Sequence, residues 1–342
     1  MEQYAIPQKL SSLTLPWETD WAALFGDEPG KSRPLILEIG FGRGTFLVHL
    51  AKQHRDHNVI GVEVSNRCLD AAERAIRSEG VTNARVIHAT GETALHHLFT
   101  PNSLSQLHLN FPDPWFKSGH HHRRIMRRST LDAMVSRLKA GGMFYLATDI
   151  FDYAEMSAEL LAATPQLTNT LDAPYAVNNL PGRGIITKYE ATAIQEGRDR
   201  YYFAYRRNDM PALDIPVIKD LPMPHLIFYS PLSLDEMRAA FHERVKVQHS
   251  FDTRLGTAHV HLMDVFQSDH ALLVEVHASE PTIDQRFAIT VLPRPNGEYT
   301  IQLSTIGHPR PTEGVHEAVR LLGERLIALH EDAVKRHDSL RE

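Results

Sequence analysis

Between residues 34 and 207, short apolar runs alternate with stretches in which apolar residues return every three or four positions. The runs at 35–39, 59–64, 85–88, 106–110, 143–148 and 201–205 are too short for helices and are bounded by turn residues, so they predict strands. The stretches at 44–53, 65–79, 129–139 and 152–163 have the helical period. Strands that read as near-continuous apolar segments are buried on both faces, and their alternation with helices predicts a doubly wound, mostly parallel sheet. Residues 208–224 hold four prolines and no period, the pattern of a linker.

Beyond residue 225 the pattern changes. Ser233 and Glu236 stand three apart, ahead of Met237, Phe241 and Val245, as in a capping box that opens an amphipathic helix. Runs near 259–266, 271–277, 287–292 and 299–304 predict four strands, with Asn296-Gly297 as a hairpin turn. After Pro311-Thr312, the residues Val315, Val319, Leu322, Leu326 and Leu329 share one helix face. The expected organisation is therefore an N-terminal arm (1–32), an α/β domain (33–207), the linker (208–224) and an accessory α+β domain with an antiparallel sheet (225–342).

At 342 residues, 42% of them hydrophobic and 23% charged, the chain is an ordinary globular protein of two-domain size. It has no run of eighteen apolar residues and no signal-like N-terminus, so a cytoplasmic protein without membrane contact is expected. The single cysteine, Cys68, falls in a predicted helix and reads as packing. The net charge of −6 is unevenly spread: from Pro211 onward there are 13 Lys+Arg against 19 Asp+Glu, while the first 210 residues hold 23 of each. Within the neutral part, residues 117–139 carry seven basic residues and one acid, Asp132. Such a patch suits a phosphate backbone, and equally a solvated helix face.

Candidate chemistry begins after the first strand, at Glu38-Ile39-Gly40-Phe41-Gly42-Arg43-Gly44. A dinucleotide fingerprint would place its third glycine at Thr45; Gly40, Gly42 and Gly44 instead give G-x-G-x-G behind an acid, which resembles motif I of class I methyltransferases. Glu63 ends the second strand, where folds of this kind place a carboxylate for ribose hydroxyls. After the fourth strand, Asn110-Phe111-Pro112-Asp113-Pro114-Trp115 sets a carboxylate between two prolines, a stiff mount beside the crevice of an open sheet.

Over residues 17–207 the chain resembles the bacterial tRNA (guanine-N7)-methyltransferases. The resemblance rests on residues 37–42, on residues 110–115 with Lys117, His120, Arg123 and Arg124, on Ala147-Thr148-Asp149, and on Thr187-Lys188-Tyr189-Glu190. It implies a class I methyltransferase fold, S-adenosylmethionine as methyl donor and N7 of guanine 46 in the tRNA variable loop as target. It assigns the cofactor to Glu38, Gly40, Gly42, Gly44, Glu63 and Asp113, with Asp113 also the catalytic carboxylate. It assigns the tRNA to Lys117, His120, Arg123, Asp149, Thr187, Lys188, Tyr189 and Glu190. Thr90 falls where relatives carry an acid for the adenine amino group, with Glu92 nearby; Gly119 stands for a basic residue and Ile150 for an aromatic one.

The chemistry suits these residues. Guanine N7 offers an in-plane lone pair at neutral pH, so alignment and electrostatics suffice, and a fixed carboxylate offsets the charge that develops on the ring. No metal is expected, because His120, His121 and His122 lack any accompanying ligand pattern. Two other readings stay open: a methyltransferase of this fold acting on another RNA or a small molecule, and a catalytically silent tRNA-binding protein. Monomer and homodimer are equally compatible with the sequence.

Overall fold

The computed structural model describes residues 8–115, 124–242 and 247–340. The chain divides into two compact units, Met1–Ile218 and Lys219–Glu342. Among the described residues no helix is long and apolar enough to cross a membrane.

The first unit runs β1 (Lys9–Ser11), α1 (Trp21–Phe25), β2 (Leu35–Ile39), α2 (Thr45–Gln53), β3 (Asn58–Glu63), α3 (Asn66–Ser78), β4 (Ala84–His88), α4 (Gly91–Thr93), β5 (Leu104–Asn110), α5 (Arg128–Arg137), β6 (Leu138–Thr148), α6 (Phe151–Ala162), β7 (Leu167–Asn169), β8 (Ala176–Val177), α7 (Lys188–Gln195) and β9 (Tyr201–Arg207). Its sheet has the order β1-β4-β3-β2-β5-β6-β9-β7, with β8 also paired to β9. Neighbours from β1 to β6 are parallel, and β9 runs antiparallel to β6. The apolar runs are buried on both faces, and alternation decides which side each residue serves. Ile36 joins Phe46, Leu47, Leu69 and Ala72 in one core. Its neighbours Leu37 and Ile39 join Leu131, Tyr153 and Phe203 in the other.

The chain builds β2, β3 and β4 in one direction and then returns to add β5 and β6 on the other side of β2. The carboxyl ends of β2 and β5 therefore flank the point where strand order reverses, the place at which open α/β sheets bind ligands. Glu38 and Asn110 stand at those two ends.

The first part of the proline-rich segment lies along this unit. Ala212 and Ile215 pack on its core, and the buried Arg137 donates from Nη1 to Ile215 O at 2.7 Å and from Nε to Leu95 O at 2.6 Å. Burial pulls the Arg137 guanidinium down to about 10. A guanidinium placed there relies on those carbonyls in place of water.

The second unit comprises β10 (His225–Tyr229), α8 (Leu234–His242), β11 (Val247–Thr253), β12 (Gly256–Ser268), β13 (Ala271–Glu280), β14 (Ile283–Pro293), β15 (Glu298–Leu303), α9 (Glu313–Ile327) and β16 (Val334–Asp338). Its antiparallel sheet has seven strands in the order β11-β12-β13-β14-β15-β10-β16. Four were expected; β10, β11 and β16 complete the set. Val260, Val274, Ile289 and Ile301 on the sheet meet Val315, Val319, Leu322 and Leu326 of α9, with Met237 and Phe241 of α8, in one core. The expected Ser233–Glu236 capping box is formed: Glu236 N donates to Ser233 Oγ and Ser233 N to Glu236 Oε2, at 3.3 and 2.8 Å.

Candidate active site

The glycine loop turns directly off β2. Gly40, Gly42 and Gly44 all have positive φ (72°, 57° and 82°), a region that L-residues with side chains enter at a cost. They are not equivalent. A Cβ on Gly44 would lie 2.6 Å from Ala72 Cβ, so this glycine lets α2 start against α3. A Cβ on Gly40 or Gly42 would meet no atom within 4 Å, which leaves open space beside the main chain.

Glu63, at the end of β3, stiffens this loop: its Oε2 accepts from Gly42 N at 3.1 Å, and its Oε1 accepts from Val64 N and Ser65 N at 2.9 and 3.1 Å. Oε1 has its full two donors, and Oε2, with one, keeps capacity for another. Glu38 is 1% exposed. Its Oε1 accepts from Asn110 Nδ2 at 3.1 Å, while Oε2 is buried without a hydrogen-bond partner among the described residues. Burial pushes the carboxyl up to about 7; the Asn110 hydrogen bond and the Arg183 charge oppose the rise, and the Glu63 charge adds to it. A buried carboxylate oxygen lacking a donor beside an open glycine cradle fits a cationic ligand that approaches the backbone closely.

On the β5 side the Pro-Asp-Pro segment is clamped at both ends. Phe111 N donates to Ala147 O at 2.7 Å, tying it to β6. Phe111 and Trp115 have φ of 50° and 40°, left-handed positions that cost about 1–3 kcal/mol for such residues. Arg124 Nε donates to Pro114 O and Trp115 O at 2.9 and 3.3 Å. Asp113 itself is exposed, and no described residue hydrogen-bonds its carboxylate.

The Thr187–Glu190 motif forms the start of α7. Thr187 Oγ1 accepts from Glu190 N, and Glu190 Oε2 accepts from Thr187 N at 2.7 Å, a complete capping box. Glu190 is buried, and its Oε1 accepts from Arg183 Nε at 2.7 Å and Tyr202 Oη at 2.8 Å. Burial alone would raise this carboxyl, but the Arg183 and Thr187 bonds outweigh it and hold the group below the usual carboxylate range. With Glu190 turned inward, Lys188 and Tyr189 are left exposed, and the Tyr189 ring lies near-parallel to Phe111 with centroids 6.3 Å apart. That contact brings α7 beside the Asp113 loop.

A family model described as "Putative methyltransferase" matches residues 32–203. A tRNA (guanine-N(7)-)-methyltransferase of Thermus thermophilus is 31% identical over 317 residues, covering 93% of this chain and 96% of that one. A tRNA (guanine-N(7)-)-methyltransferase of Burkholderia vietnamiensis is 37% identical over 194 residues, covering 57% of this chain and 72% of its own. The chain belongs to the tRNA (guanine-N7)-methyltransferase family. The Thermus match is too long to end at residue 207, so the family likeness reaches into the second unit.

In this family member Glu38, Gly40, Gly42, Glu63 and Asp113 all lie at the carboxyl edge of the sheet around the β2–β5 reversal. Gly44 has a packing role there. Asp149, at the end of β6, is ion-paired with Arg198, which also pairs with Glu196 at 2.7 Å. Thr90 is exposed and caps α4, accepting from Thr93 N at 3.0 Å. Glu92 is turned to Arg127, with 3.4 Å between Nη2 and Oε1. Lys117, His120 and Arg123 lie outside the described residues, as do Gly119, His121 and His122. Of the basic run, the described arginines serve the protein itself: Arg124 holds the loop, and Arg128 pairs with Asp132 at 2.9 Å.

Two residues at the centre of the site, Asn110 and Arg183, have no role that the sequence motifs assign. Asn110 stands only as the first letter of a motif. Arg183 sits in the run Pro181-Gly182-Arg183-Gly184, which reads as any solvated loop, and nothing local distinguishes it.

Proposed function

We propose that the protein transfers a methyl group from S-adenosylmethionine to N7 of guanine 46 in the variable loop of tRNA, acting in the cytoplasm. The observation that carries this reading is the buried, partnerless Glu38 oxygen beside the open Gly40–Gly42 cradle, in a chain 31% identical to a tRNA (guanine-N(7)-)-methyltransferase along nearly its whole length. When bound, S-adenosylmethionine supplies an electrophilic sulfonium methyl. Glu38 holds the cationic end of the donor, Gly40 and Gly42 let the main chain close on it, and Glu63 accepts from a ribose hydroxyl. Thr90 stands at the adenine end, a reading supported by Glu92 being committed to Arg127.

Asp113 lies beside the guanine and offsets the positive charge that grows on the ring, which is electrostatic work by a preorganised group. Asp149 accepts from guanine N1–H or the exocyclic amine, donors that adenine does not offer in this arrangement. Lys117, His120, Arg123 and Lys188 contact the phosphate backbone, and Tyr189 meets the RNA through its exposed ring. Thr187 and Glu190 act through the capping box that fixes where Lys188 and Tyr189 point.

Incubation with labelled donor and an unmodified tRNA transcript, followed by borohydride and aniline cleavage, tests the reading. Cleavage at guanine 46, lost when that guanine is replaced, is the expected result. Label on adenine, on an exocyclic amine or on another RNA alone would favour a different methyltransferase, and no transfer to any substrate would leave a silent binding protein.

We further propose that residues 33–207 form the catalytic domain, that 208–224 link it to the rest, and that 225–342 are accessory to tRNA binding. The 13 Lys+Arg against 19 Asp+Glu from Pro211 onward repel a polyanion at long range. The informative truncation falls after Ile218, because a cut at residue 208 would strip the buried Arg137 of its Ile215 partner. A folded truncate is expected to lose less than about tenfold in tRNA affinity, or about 1.4 kcal/mol. Near-total loss of tRNA binding with donor affinity intact would make the second unit the main RNA grip.

A further inference from the structure

Arg183 has no part in the chemistry just described, yet two hydrogen bonds and two aromatic rings hold its guanidinium. Its side chain is 8% exposed. Nη2 donates to Asn110 Oδ1 at 2.9 Å and Nε to Glu190 Oε1 at 2.7 Å. Its guanidinium carbon lies 4.6 Å from the ring centroid of Phe46, at the start of α2, and 5.2 Å from that of Tyr202 on β9. The planar fork thus touches the helix that leaves the glycine loop, the end of β5 and the capped start of α7, a set of directions that a lysine ammonium on a flexible stem cannot reproduce.

The Asn110 contact has a consequence for Glu38. An amide can present either its oxygen or its nitrogen, and the surrounding network decides which. Because Arg183 has only donors, Asn110 must offer it the oxygen, and the Nδ2 that remains donates to Glu38 Oε1 at 3.1 Å. Without Arg183 the amide oxygen loses its donor, and the Glu38 contact alone is left to orient the group. At its other end Arg183 holds Glu190, whose second oxygen accepts from Thr187 N at 2.7 Å and so secures the helix start that presents Lys188 and Tyr189. One side chain is therefore common to the group that faces the donor and to the group that orients the RNA-facing residues.

We propose that Arg183 is a positioning residue that joins the donor loop to the tRNA-facing turn through Asn110 and Glu190, so that the methyl donor and tRNA strengthen each other's binding. The inference rests on the methyltransferase reading above. Ordering of Glu38 and Asn110 by the donor fixes one edge of the guanidinium, and the other edge then holds Glu190 and α7 with less left to order when tRNA arrives. By linkage, tRNA must tighten donor binding by the same factor.

Calorimetry on the full chain reads this directly, with S-adenosylhomocysteine titrated in the absence and presence of a saturating tRNA transcript. In the wild type, tRNA is expected to tighten S-adenosylhomocysteine at least about fivefold, the lower end of ordinary coupling. Arg183→Lys keeps the charge and loses the fork, so the ratio should fall below about twofold while the variant still binds each ligand alone. A residue with only a structural role would weaken both affinities and leave their ratio unchanged, and that outcome overturns the proposal. So does a wild type that binds each ligand but shows no coupling, a result that leaves the functional reading standing. A wild type that binds neither ligand alone removes that reading, and the inference with it. If Arg183→Lys fails to fold, Asn110→Ala cuts the link on the Glu38 side while leaving the Arg183–Glu190 pair, and it must lose the coupling too.

Discussion

Asp113→Ala is expected to slow single-turnover methyl transfer at least about a hundredfold, the scale seen when one preorganised electrostatic group is removed. Donor affinity should change by less than about threefold, since Glu38, Glu63 and the glycine loop are separate from this carboxylate and worth a larger share of the binding. The asymmetry follows from how the loop is built. Phe111 and Trp115 occupy left-handed backbone positions, and Arg124 bonds two carbonyls at its far end, so the protein spends conformational free energy to hold the segment between them. What that segment presents is an exposed carboxylate with no hydrogen bond from any described residue, as expected of a group whose partner arrives with the substrate. Asp113→Asn keeps the shape and removes the charge. If electrostatics dominate, it should be nearly as slow as alanine. Near-normal single-turnover rates in both variants would reduce Asp113 to a loop acid and move the catalytic role elsewhere, with Asp149 the next candidate.

The central strands were legible because burial on both faces leaves a run such as Leu35-Ile36-Leu37 no alternative to the sheet interior. Strands at the margins were not. β16 reads Val334-Lys335-Arg336-His337-Asp338 and is mostly exposed; only its pairing with β10 makes it a strand, and that partner is more than a hundred residues away. The helix α7 was found as a motif and missed as an element. Thr187 and Glu190 were assigned to RNA from the resemblance, whereas their spacing is also that of a capping box, which is how the fold uses them. The same limit applies to the basic run at 117–139. Sequence reveals its charge, but whether Arg124 faces a phosphate or the carbonyls of Pro114 and Trp115 depends on a loop that only the fold brings back. Arg183 is the extreme case, since its meaning comes wholly from Asn110 and Glu190, 73 and 7 residues away.

Glu38→Gln should separate stability from function in opposite directions. Burial holds the Glu38 carboxyl at about 7 in the folded chain, against an ordinary 4.5. A raised carboxyl contributes stability that is complete below 4.5 and is lost as pH rises through 7, because above that point the folded chain must hold an anion in a site that resists it. Glutamine does not titrate, and its amide nitrogen takes the place of the oxygen that lacks a partner. At pH 8 the variant should therefore be the more stable protein, by on the order of 3 kcal/mol, with the advantage vanishing near pH 4.5. All three tryptophans, Trp17, Trp21 and Trp115, belong to the first unit, so tryptophan fluorescence follows its melting without interference from the second. Each kcal/mol should appear as roughly 2–4 °C. Function should move the other way. The wild type should bind S-adenosylhomocysteine more tightly as pH rises from 6 to 8 and Glu38 ionises toward the ligand's ammonium, while the variant should bind at least about tenfold more weakly at pH 8 and lose that pH dependence. A variant destabilised equally at every pH, or one that retains wild-type affinity, would mean that the unpaired Glu38 oxygen is a defect of packing rather than a socket for the donor.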